Sequence, residues 1–148
     1  MRQDVFSRFS AALFLFCALF SLGAASQICG DDLPPIQESK AYHDFLKQPI
    51  TPLSKGVCIL NYFRDLPLIV QYDGVDYPML VAYPIGMAYF LTNYKGEDPR
   101  HWIKKTCYRS LQNNNIIYFK FQDGRFRPAR DVLLEKMDEL DKALKEKR

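Results

Sequence analysis

Catalysis needs groups that can meet, and this chain has few candidates. Its two histidines are His43 and His101. His43 precedes Asp44 on a predicted helix, where successive side chains point about 100° apart, so the pair makes no dyad by itself. His101 follows the polar run Lys95 to Arg100 (KGEDPR) and precedes Trp102. Glu97, Asp98, Arg100 and His101 are the one cluster from which a hydrolytic or metal-dependent centre could be built. Their spacing matches no metal-ligand motif, so the sequence points to neither a metal nor a cofactor. Ser39, Ser54 and Ser110 do not stand in a G-x-S-x-G elbow. There is no P-loop and no G-x-G-x-x-G. Asp73 and Asp76 could in principle pair as acids, but Asp73 precedes a glycine and reads as a turn residue, as does Asp123. Arg125, Arg127 and Arg130 read as charges that protect a sheet edge from pairing. No catalytic residue is assigned.

The remaining reactive groups are the cysteines, and their fate depends on compartment. Arg2 and Arg8 open the chain, Ala11 to Leu22 is apolar apart from Ser21, and Gly23 to Ser26 are small. That layout predicts a secretory signal peptide over residues 1–26. Its apolar core is short of the ~20 residues needed to span a bilayer. Removing it takes away two arginines and one aspartate, so the formal charge falls from +3 to +2. Such a balance gives no basic field for nucleic acid. Cys29, Cys58 and Cys107 remain. In an oxidising compartment two of three usually bridge, and Cys58–Cys107 is the expected pair because both fall in strand-like patterns. Cys29 is then free or bridges to another chain. No Asn-x-Ser/Thr sequon occurs, which tilts slightly towards a bacterial envelope, periplasmic or secreted.

These residues must be positioned by one domain, since about 122 residues suffice for one core and not for two. Residues 27–35 read as an extended leader, and 36–47 as a short helix ended by Pro49. Val57 to Arg64, Leu68 to Tyr72, Asp76 to Tyr83 and Met87 to Tyr94 read as strands rich in β-branched and aromatic residues. Asp73-Gly74 is a strong hairpin signal between the second and third, and Pro84-Ile85-Gly86 reads as a further turn. His101 to Leu111 and Ile116 to Phe121 add strands, and Arg125 to Arg127 a short edge. Pro128 opens a helix over 128–145, where Leu133, Met137, Leu140 and Leu144 form an apolar seam. The expectation is an α+β fold. An antiparallel meander of five to seven strands (57–127) lies against a short N-terminal and a longer C-terminal helix.

All nine tyrosines follow residue 40, and eight lie in or beside predicted strands. Tyr packs well on sheets, and it also makes rigid recognition surfaces. By strand parity Tyr83 and Tyr89 go with the core. Tyr72, Tyr77 and Tyr94 flank turns and, with Glu97, Asp98, His101 and Trp102, are the candidate binding residues. The sequence therefore points to a small exported non-enzymatic binding domain, inhibitor- or immunity-like, that engages a protein or an envelope polymer. The alternatives are a small hydrolase or metal-dependent enzyme using Glu97, Asp98 and His101, and a structural subunit of an envelope assembly. In the last, the C-terminal helix or Cys29 would join chains.

Overall fold

A computed structural model of the chain describes residues 33–147. The predicted signal peptide, Cys17 and Cys29 lie outside the described residues. Within these residues the fold is α+β, with five α-helices and one antiparallel sheet. After a 3-10 turn (Ile36–Glu38) come α1 (Lys40–Phe45) and α2 (Pro52–Arg64). The hairpin β1 (Ile69–Tyr72) and β2 (Val75–Pro78) leads into α3 (Met79–Asn93) and α4 (Pro99–Thr106). The chain ends with β3 (Tyr118–Lys120), β4 (Phe126–Pro128) and α5 (Ala129–Glu146). The sheet has four strands in the order β2-β1-β3-β4, fewer than the five to seven expected. The β1–β2 turn has the geometry that Asp73-Gly74 foretells, with φ of 51° and 79°.

Three helices stand where four strands were expected. For α2 the physical reason is capping. Thr51 accepts from the Ser54 N–H at 3.0 Å, and Ser54 accepts from the Thr51 N–H at 2.8 Å, a reciprocal box closed by Pro52 in the first turn. Its buried positions, Cys58, Ile59, Tyr62 and Phe63, recur at helical spacing rather than alternately. In α3, which replaces the expected strand Met87 to Tyr94 and most of the one before it, Pro84 lies inside the helix. Its missing N–H leaves the Leu80 carbonyl without a helical partner. The turn expected at Pro84 to Gly86 does not form, and the helix runs through it. In α4 the Asp98 carboxylate accepts from the Arg100 N–H at 2.7 Å, and Pro99 opens the helix.

Helix α2 is the hub, touching α1, α3, α4 and α5. Phe63 of α2 stacks on Phe119 of β3 at 5.1 Å between ring centroids, joining helices to sheet. The α5 seam is buried as expected at Leu133, Met137 and Leu140. It faces α2 and α4 as well as β3 and β4. The chain enters the fold through a polar clamp. Ile36, fully buried, donates its N–H to Glu139 Oε1 at 2.7 Å. Lys136 Nζ donates to the Pro34 carbonyl at 3.2 Å and to Glu139 Oε2 at 2.7 Å, and the Tyr62 hydroxyl donates to the Pro34 carbonyl at 2.5 Å.

The expected Cys58–Cys107 disulfide is absent, and both thiols are free. The pairing presumed two strands of one sheet. Instead Cys58 lies on α2 with Sγ 3.8 Å from the Ala41 carbonyl, and Cys107 ends α4. Burial pushes both thiols up to about 12. Because the thiolate is the reactive form, Cys58 and Cys107 are each expected to react with a thiol-specific reagent at about pH 8 far more slowly in the folded protein than in denaturant, as read by peptide mapping. Free-cysteine rates at either position in the folded protein would contradict this packing.

Asp141 of α5 gathers an ion-pair network. Lys55 of α2 donates to it at 2.8 Å, and Arg100 of α4 reaches both Asp141 and Asp138. Burial alone would raise the Asp141 carboxyl, but hydrogen bonds from Lys55 and Arg100 outweigh it and hold the group below its ordinary value. A carboxyl lowered by folding stabilises above its unfolded pKa of about 4, and that contribution fades as pH falls through the lower, folded value. Asp141→Asn is therefore expected to cost stability at neutral pH and to bring the two proteins together in acid, as followed by urea unfolding at several pH values. A constant difference across the range would remove Asp141 as its source.

Candidate functional site

The sequence-derived candidates fall into two regions. Tyr72 and Tyr77 belong to the β1–β2 hairpin, where pairing of Val70 with Tyr77 and of Tyr72 with Val75 puts all four on one face of the sheet. Val70 also pairs with buried Phe119, so this face turns towards the core. The Tyr72 hydroxyl accepts from the Leu111 N–H at 3.0 Å. Beside it, Ser110 Oγ donates to Asp73 Oδ1 at 2.5 Å and accepts from the N–H groups of Asn113 and Asn115. With its hydrogen bonds filled, that serine ties the loop to the hairpin turn, and no histidine takes part.

The other candidates surround the α3–α4 connection. Tyr94 ends α3, and its hydroxyl donates to the Glu97 carbonyl. Burial, then the charges of Glu97 and Asp98, push the phenol pKa up. The Glu97 carboxyl is held low chiefly by its own N–H, then by that of Lys95, with smaller help from His101 and Lys105. Asp98 is the cap of α4, and His101 faces solvent. Trp102 is buried, its ring edge-on to Phe90 at 4.8 Å. Among the described residues no group of three or more His, Cys, Asp or Glu side chains could hold a metal ion.

A cavity of about 10 Å³ lies between α2, α3 and α4, lined by Gly56, Phe90, Trp102, Ile103, Cys107 and Leu133. That is room for about one water, against the roughly 300–1,000 Å³ of small-molecule sites.

The unusual surface includes Tyr89, which strand parity assigns to the core. Helix α3 has fifteen residues and no charged side chain. Its inner side buries Met79 and Phe90, and Tyr83 donates to Asn61 Oδ1 of α2 at 2.6 Å. At roughly 100° per residue, Leu80, Leu91, Pro84, Ala88, Val81, Thr92, Ile85 and Tyr89 follow one another around half the helix. All eight are exposed, including Leu80 at 85%, Ile85 at 63%, Leu91 at 56% and Val81 at 46%. The one polar member, Thr92, turns its hydroxyl onto the Ala88 carbonyl at 2.8 Å. Contiguous apolar surface of this kind marks interaction sites, whereas singly scattered exposed apolar residues need no explanation. Nothing in the sequence pattern separates this face from core, because an apolar run looks the same in both.

No helix among the described residues is long and apolar enough to cross a membrane. No family model, curated protein or solved structure matches the chain.

Proposed function

We propose that this chain is a small exported, non-enzymatic interaction domain, and that the outward half of α3 is its contact surface. Export rests on the basic, apolar and small-residue order of residues 1–26. The interaction reading is carried by one observation: a charge-free helix whose outward half is exposed and, but for Thr92, apolar. Burying that half would release ordered water without desolvating any charge. The fold itself does not use it, since the helix is anchored through Phe90, Met79 and Tyr83.

The test is capture from the native compartment with a tagged chain, its Leu80→Glu/Ile85→Glu variant and a control variant on the exposed face of α5, Lys142→Glu. Parent and control are expected to retain the same specific partner, and the α3 variant to lose it. An unchanged set of bound proteins with the α3 variant would overturn the assignment of the surface. Measurable turnover by a clean monomer that retains no partner would overturn the non-enzymatic reading.

A further inference from the structure

We propose that the occupant of the α3 face is a second copy of this chain, with the two α3 helices packed across a two-fold axis. This rests on the reading of α3 as the contact surface, and it names the partner. The first argument is area. The exposed parts of Leu80, Val81, Ile85, Tyr89 and Leu91, with Pro84 and Ala88 between them, offer on the order of 500 Å² per copy by side-chain burial values. A symmetric pair therefore buries at most about 1,000 Å² in total, the lower bound for a specific interface. An interface of that size belongs with weak, transient contacts, for which micromolar association is expected.

The second argument is charge. A partner for this surface must present a face equally free of charge, because a charged side chain set against it would be desolvated and unpaired. A second α3 supplies such a face by identity, and a two-fold interface is self-complementary. A lipid surface fits less well. Helices that lie on membranes carry lysine and arginine on their polar side to engage head groups, and α3 has neither. Shape agrees with the charge argument. Ala88 lies near the middle of the exposed arc, beside Val81, and its small side chain lets two helices approach closely there, about 8–10 Å apart. In an antiparallel pair, Leu80 near one end of α3 meets Leu91 near the other end of the second copy.

The experiment is sedimentation equilibrium of the purified exported chain from about 1 to 200 µM, spanning the micromolar range. Reductant is present so that Cys29 cannot join chains. The parent is expected to pass from monomer to dimer across this range. Leu80→Glu and, separately, Ile85→Glu are expected to weaken the dimer at least tenfold, with unchanged far-ultraviolet circular dichroism. A parent that stays monomeric throughout overturns the proposal, and so does a dimer that both variants form as well as the parent. The monomeric case also separates this inference from the reading beneath it. If the monomer binds neutral phosphatidylcholine vesicles, or a captured protein, and Leu80→Glu abolishes that binding, α3 remains the contact surface with a different occupant. If the substitution changes nothing, both fall.

Discussion

Replacing Phe90 by alanine is expected to lower the unfolding free energy by about 3–5 kcal/mol. Phe90 is the inner anchor of α3, 1% exposed, edge-on to Trp102 at 4.8 Å and tilted against Tyr94 at 4.7 Å. Its removal opens a void beside the small cavity and detaches the helix that carries the proposed contact face. The same ring explains Gly56. A Cβ built there would sit 2.4 Å from Phe90 Cζ, and the aromatic neighbours leave the ring little room to yield. Helix propensity alone favours Gly56→Ala by about 1 kcal/mol. The close approach of α2 and α3 is expected to reverse that sign, for a net loss of about 1–2 kcal/mol. Pairing Gly56→Ala with Phe90→Leu relieves the clash, so the double variant is expected to be more stable than the sum of the singles. Urea unfolding of the four proteins measures the cycle, and a Gly56→Ala protein more stable than its parent would contradict the α2–α3 packing.

A chain beginning at Glu38 is expected to lose about 4 kcal/mol or more relative to one beginning at Leu33. The loss combines the burial of Ile36 with the partners it leaves behind. Lys136, 6% exposed, would lose the carbonyls of Leu33 and Pro34, Tyr62 would lose the Pro34 carbonyl, and Glu139 would lose the Ile36 N–H. A near-neutral ion pair left half-solvated in a former clamp is costlier than the same pair on a free surface. Differential scanning calorimetry of the two chains decides it. Equal melting temperatures would mean that residues 33–37 only lie on the fold.

The parts of the fold that could be read from residues alone are those with a local mechanism. Asp73-Gly74 announced the hairpin, and Leu133, Met137 and Leu140 announced the buried side of α5. Helices α2, α3 and α4 were misread for a shared reason. Their valines, isoleucines and tyrosines favour strands in isolation, and tertiary burial at helical spacing overrides that preference. Two warnings were present in the chain. Thr51-Pro52 with Ser54, and Asp98-Pro99, both have the composition of helix starts. For α3 there was no such warning, since Pro84 and Gly86 suggest a break that the helix passes through. The candidate site fared similarly. Trp102 and Asp98 have structural tasks in the core and at a cap, while Tyr89 was placed with the core and Pro84 and Ile85 in a turn. Only the position of α2 behind α3 shows that they face outward, and that position is a tertiary fact.

The central claim is that the apolar half of α3 is kept for a contact and contributes nothing to the fold of a single chain. Its most direct test is the unfolding free energy of Leu80→Glu/Ile85→Glu in urea, taken at a protein concentration where the parent is monomeric. Glutamate and leucine have similar helix propensities, so surface positions should tolerate the change. The expected value lies within about 0.5 kcal/mol of the parent. A loss of about 4 kcal/mol, the scale of charges forced into a core, would contradict the account.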